Sequence, residues 1–264
     1  MITRYARSAD GVRIAYRTLG TGTPAVVLVH GWSCDRGYWD AQLAALAQAF
    51  QVVAIDLAGH GESDRGREAW SIASFGSDVS SVVRHLALEE VVLVGHSMGG
   101  NIILEAAKEL PGVVSGLVWV DVHRALPNAR TDAQVRERMR PFRSDFVATT
   151  RDFVRSMFGA NADPSLVTRV ADEMSAAPRD VALGALEATW SFVRSVPALL
   201  AELRLPLVAI NPDDAGTDVE SLKRFGIDVV LLPGVGHFPM LEAPQPFNQQ
   251  LAAAVQRMRR SPND

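Results

Sequence analysis

The chain has 264 residues, 48% of them hydrophobic and 21% charged, and its 26 Lys and Arg against 30 Asp and Glu leave a net charge of −4. At roughly 150 residues per domain, this length fits two small domains or one large α/β domain with an insertion. Mild acidity without a basic stripe lacks the electrostatic footprint of nucleic-acid binding, and the single cysteine, Cys34, excludes an internal disulfide.

No Cys/His cluster has zinc spacing, so no metal is expected. The first residues lack an apolar leader, and no uninterrupted apolar run exceeds five residues. The expectation is a soluble, cytoplasmic protein without a membrane span.

In chain order, residues 3–8 and 12–18 alternate apolar with polar positions around Asp10-Gly11, the pattern of an antiparallel hairpin. Short β-branched runs at 25–29, 52–55, 91–94 and 117–120 are too brief for helices and are followed by Gly, His or Asp. They read as buried parallel strands. Helical spacings separate them: Trp39, Leu43, Leu46 and Phe50; Ile72, Phe75, Val79, Val82 and Leu86; Ile102, Ala106 and Leu110.

Residues 122–200 break this alternation, with helical periodicity, no credible strand, and aromatics such as Phe142, Phe146, Phe153, Phe158, Trp190 and Phe192. They read as a helical cap inserted after the run at 117–120. Strands at 207–210 and 229–232 follow, then a helix from about Pro244 with Phe247, Leu251, Val255 and Met258 inward. It ends near Arg257, Arg259 and Arg260, favourable to its dipole. The expected fold class is α/β: a mostly parallel central sheet with helices on both faces. Residues 1–121 and 201–264 form the core and 122–200 the cap, within one continuous domain.

Chemistry concentrates at the carboxyl ends of the strands. Gly95-His96-Ser97-Met98-Gly99-Gly100 lies between a buried strand and a helix. A sharp turn there lifts a serine hydroxyl clear of the sheet, with glycines where side chains would strike backbone. Serine needs an adjacent base. Of six histidines, His237 in Gly234-Val235-Gly236-His237-Phe238 sits past the last strand, at the same sheet edge as Ser97. His85 ends a helix, His60 shapes a loop, and His96 points away from the hydroxyl. The N–H groups of Trp32, after the strand at 25–29, and of Met98 are the candidate oxyanion hole.

With Asp56-Leu57-Ala58-Gly59-His60-Gly61-Glu62-Ser63, these segments resemble the α/β-hydrolase fold superfamily, specifically its cofactor-independent, esterase-like members with a helical cap. The resemblance implies Ser97 as nucleophile, His237 as base, no cofactor, and the chain order Ser, acid, His. The acid departs from the usual pattern. Where relatives carry Gly-x-x-Asp after the strand at 207–210, this chain has Asn211-Pro212-Asp213-Asp214-Ala215-Gly216. Asp121, after the strand at 117–120, is the first candidate, because some relatives place the acid there. Asp213 is the alternative, with Asp214 and Asp218 behind it.

The reaction implied is hydrolysis of a small hydrophobic carboxylic ester. Dehalogenases and epoxide hydrolases of this fold use Asp at the elbow, which here is Ser97. The substrate pocket is expected among Trp32, Met98, His123, Phe142, Phe146, Trp190 and Phe238, with Arg124 and Arg143 available to a carboxylate. Carbon–carbon hydrolysis, lactone opening, peracid formation, a non-catalytic ligand receptor and an interaction protein with a decayed site remain alternatives.

Overall fold

The expected hairpin and all six expected parallel strands join one eight-stranded sheet in the computed structural model, which describes residues 2–214 and 216–259. Ala215 and Arg260, named above, lie outside the described residues. Strands β1 (Arg4–Arg7) and β2 (Arg13–Leu19) pair antiparallel, with Gly11 at φ +86° in their turn. Then come β3 (Ala25–Val29), α1 (Asp40–Leu46), β4 (Val52–Ile55), α2 (Ile72–His85), β5 (Val91–His96), α3 (Met98–Glu109) and β6 (Val114–Val120).

Five helices follow without a strand: α4 (Asp132–Ser144), α5 (Phe146–Arg155), α6 (Pro164–Ser175), α7 (Arg179–Phe192) and α8 (Val196–Leu203). The chain closes with β7 (Leu207–Pro212), α9 (Val219–Lys223), β8 (Ile227–Leu232), α10 (Pro239–Glu242) and α11 (Pro244–Arg257).

The strand order is β1-β2-β4-β3-β5-β6-β7-β8, antiparallel from β1 to β4 and parallel from there on. β3, β5 and β6 are buried along their whole length, as continuous apolar runs require when helices cover both faces. α1 packs with α11, and α2 with α3. β6 starts three residues before the expected run because Gly116 interrupts its pattern. A Cβ there would sit 2.4 Å from the Met258 sulfur, so a packing constraint on α11 hides the strand's start. The short helices α9 and α10 were not anticipated, since four or five residues give no periodicity to read.

The order of connection reverses at β3, between β4 and β5. In open α/β sheets, ligands bind beyond the carboxyl ends of the strands at such a point. Ser97 follows β5 there, and α7 reaches the same edge: Trp32, in the loop after β3, donates its indole N–H to the Ala182 carbonyl of α7 at 2.7 Å. No helix among the described residues is long and apolar enough to cross a membrane.

Candidate active site

Ser97 stands at φ +52°, ψ −117°, between the last residue of β5 and the first of α3. A non-glycine residue held at positive φ is strained and persists where its surroundings overdetermine it. Here the surroundings are backbone. A Cβ on Gly95 would lie 2.3 Å from the Gly99 oxygen, and one on Gly99 would lie 2.5 Å from the Val29 oxygen and 2.7 Å from that of His30. The turn therefore nests against the end of β3, and the two glycines are steric necessities. Met98, as the first residue of α3, has an N–H without an intrahelical acceptor.

The loop after β3 is pinned from below. The fully buried His30 donates Nδ1–H to the Gly31 carbonyl at 2.8 Å and accepts the Leu57 N–H on Nε2 at 3.1 Å. Burial lowers its pKa and keeps it neutral. A Cβ on Gly31 would sit 3.3 Å from Ser97 Cβ, so the backbone leading to Trp32 runs directly beside the serine. His60 donates Nδ1–H to Ala58 at 3.0 Å, the loop-shaping place expected for it.

His237 lies past β8, and its Nδ1 is 2.6 Å from Asp121 Oδ2. Asp121, buried at the end of β6 with φ +43°, also accepts Arg124 Nε at 2.9 Å on Oδ1 and Arg124 Nη2 at 3.0 Å on Oδ2. Burial pushes this carboxyl up, but the bonds and charges of His237 and Arg124 outweigh it and hold its pKa below the usual carboxylate range. An ionised Asp121 can only accept, so His237 carries a proton on Nδ1.

Among the described residues, no hydrogen bond joins His237 to another of the acid candidates. Asp213 is exposed, Asp214 receives Arg124 Nη1 at 2.7 Å, and Asp218 caps α9 through the Ser221 N–H at 3.0 Å. Nor do the two arginines suggested for a carboxylate stand free. Arg124 is spent on Asp121 and Asp214, and Arg143 pairs with Glu187 at 2.6 Å on the surface.

Ser97 and His237 share a cavity of about 180 Å³ with Trp32, Met98, Trp190 and Phe238, four of the expected pocket residues. Cys34, Phe153, Met157, Met174, Leu186 and Thr189 complete most of the lining and were not expected. Three expectations need correction. His123 is buried away from the cavity, with Nε2 3.0 Å from Asn101 Oδ1 and its ring edge-on to Trp119. Phe142 and Phe146 stand one layer behind, edge-on to Trp32 at 5.8 and 6.3 Å between centroids. Helical periodicity marks which face of α4 and α5 is buried, but not which buried residue meets a cavity.

His96 also has a position the sequence did not disclose. Fully buried, it donates Nε2–H to the His237 carbonyl at 2.8 Å, and its ring centre is 4.7 Å from that of His237. Burial pushes its pKa down to about 3, so it remains a neutral donor at any ordinary pH. Behind the His237–Asp121 pair lies an open groove of about 660 Å³, walled also by Arg124, Asp213 and Asp214. Among the described residues, no three His, Cys, Asp or Glu are grouped as metal ligands would be.

A strand-to-helix turn that holds Ser97 at positive φ beyond β5 of this sheet defines a class of fold. Residues 26–250 match the model of the alpha/beta hydrolase family, and the chain belongs to that family. An uncharacterized protein of Mycobacterium tuberculosis is 39% identical over 114 residues, which are 43% of this chain and 33% of that one. The match thus spans about a third of that relative's length.

Among solved structures, a thermophilic esterase from Thermogutta terrifontis superposes with a TM-score of 0.84 at 22% identity, covering 98% of this chain and 100% of the other. A bromoperoxidase from Bacillus anthracis gives 0.82 at 23%, covering 97% and 100%. Identities this low establish the fold. An enol-lactonase and an epoxide hydrolase share it as well.

Proposed function

We propose that this chain hydrolyses small, uncharged carboxylic esters by acyl transfer through Ser97. The observation that carries the reading is the 2.6 Å contact of His237 with an ionised, buried Asp121, with His237 and Ser97 walling one cavity. In this reading, Nε2 of His237 takes the Ser97 proton as Oγ attacks the ester carbonyl, then passes it to the departing alkoxide. Water, activated by the same nitrogen, next releases the acid and restores the serine. Asp121 holds the tautomer and stabilises the transient imidazolium, completing a catalytic triad. The N–H groups of Trp32 and Met98 form the oxyanion hole for the tetrahedral intermediates.

The helices α4 to α8 act as the cap that shapes the substrate, with 122–200 as an insertion into the core of 1–121 and 201–264. An apolar void of about 150 Å³ takes a benzene-sized guest, so 180 Å³ suits a short or aromatic acyl group. The lining holds no Lys or Arg, which supports a neutral substrate over the carboxylate-bearing ones of a carbon–carbon hydrolase. No cofactor takes part in these steps. Cys34 is buried and unpaired, in keeping with work in the cytoplasm.

Turnover of p-nitrophenyl acetate, butyrate and octanoate, beside Ser97→Ala, tests the proposal. The expected result is faster hydrolysis of acetate and butyrate than of octanoate, an initial burst, and a background rate from the variant. Equal rates for the two proteins, or inertness of both, would overturn it.

A further inference from the structure

The loop that carries His237 is gripped by a carboxylate with no part in the steps above. Glu242, the last residue of α10, accepts the Gly236 N–H on Oε2 at 2.9 Å and the Phe238 N–H on Oε1 at 3.0 Å. These donors flank His237 on either side. Its Oε2 also accepts the Gly159 N–H, from the connection between α5 and α6, at 3.0 Å.

The histidine itself completes the pattern. Its N–H donates to the Met157 carbonyl at 2.8 Å, and its carbonyl accepts His96 Nε2 at 2.8 Å. Three successive N–H groups, 236 to 238, are thus taken in turn by Glu242, by the helical insertion, and by Glu242 again. The two segments also touch backbone to backbone: a Cβ on Gly236 would fall 2.3 Å from the Gly159 nitrogen and 2.4 Å from the Met157 oxygen.

We infer that Glu242 is a positioning residue, which sets the height of His237 above Ser97 and fastens the base to the insertion that roofs the cavity. The inference rests on the acyl-transfer reading above. Its chemistry requires two anionic oxygens facing three N–H donors. Glutamine has one oxygen and turns an NH₂ group toward the donors at the other position, so it keeps part of the grip. Alanine keeps none. A base displaced by a fraction of an ångström still binds substrate but transfers its proton poorly, so the loss falls on kcat.

The test compares the full chain with Glu242→Gln and Glu242→Ala. It measures ester kcat and KM, the rate at which an alkyl fluorophosphonate labels Ser97, the unfolding midpoint, and amide hydrogen exchange at 157–159 and 236–238. The expected result is a kcat and labelling rate lower by about tenfold in the glutamine variant and about a hundredfold in the alanine variant. KM should move by less than about twofold, and the named amides should exchange faster.

Wild-type kcat and labelling in a folded Glu242→Ala, or a rise in KM with kcat intact, would overturn the inference. Should the alanine variant not fold, the same comparison on Glu242→Gln decides. Failure of the wild-type protein itself to label would instead strike the acyl-transfer reading, with Ser97→Ala as the unlabelled control.

Discussion

The loops at the sheet edge and the helices between β6 and β7 are held by different physics. At the edge, each group is fixed by contacts that leave no alternative. Gly95 and Gly99 meet backbone on van der Waals terms, Asp121 is shared between His237 and Arg124, and the buried Asp56 accepts the Arg36 guanidinium together with the N–H groups of Arg36 and Glu62. Three of the inserted helices, α4, α5 and α6, start on local side-chain caps, Thr131, Asp145 and Asp163. They carry exposed ion pairs such as Arg143–Glu187 and Arg151–Asp172, each worth about 0–1 kcal/mol. Their inward faces offer apolar surface, which other apolar side chains of similar volume can replace. Substitution at the edge should therefore remove the reaction, whereas substitution in the helices should redirect it.

The sharpest way to break that contrast is at the acid. Asp121→Asn should lower kcat by about 10⁴-fold, since an amide no longer fixes the tautomer of His237, while Asp213→Asn stays near the wild-type rate. Comparable losses in the two variants would place the acid elsewhere.

Leu186→Ala probes the other region. Leu186 is 3% exposed and lines the cavity, so truncation should cost about 2–3 kcal/mol of stability. It should also raise the octanoate-to-butyrate ratio of kcat/KM by about tenfold, as the added volume admits longer chains. An unchanged ratio would show that α7 does not set acyl length.

The smallest effect concerns pH. Burial lowers the pKa of His60 and His96 to about 3 and of His123 to about 4, against 6.5 in an unfolded chain. The unfolded state then binds more protons, so the stability these neutral histidines contribute is full above pH 6.5 and is lost progressively as pH falls from there to about 4 for His123 and about 3 for His60 and His96. Each adds a slope of up to about 1.4 kcal/mol per pH unit. Urea unfolding at pH 7, 6 and 5 should show His123→Gln flatter than wild type by one proton's share, and an unaltered slope would contradict this.

Much of the architecture was legible because its causes are local. Fully buried parallel strands demand uninterrupted apolar runs, and β3, β4 and β5 supply them in four or five residues. The elbow was legible for the same reason: glycine at 95 and 99 answers a clash within a few residues and with the adjoining strand end. Asp121, by contrast, could be ranked against Asp213 but not chosen, because the contact that distinguishes them spans 116 positions. Arg124 stands available to a carboxylate in the sequence, because spacing alone does not show that Asp121, three residues back, turns toward it or that Asp214, 90 positions on, reaches it.

Side-chain order along the chain, then, carries the strands, the turn of Ser97, the placing of His237 at the same edge, and the helical nature of 122–200, because propensity and steric exclusion act over short distances. Assembly of the sheet settles which carboxylate meets His237, that His96 and Glu242 hold the loop of that histidine from two sides, and that Phe153, Met174 and Leu186 rather than Phe142 and Phe146 face the cavity. Those outcomes depend on the angle at which one packed layer meets another. No local pattern of residues encodes that angle, and a rotation of one helix by a single position would exchange the residue that lines the cavity for one that lies behind it.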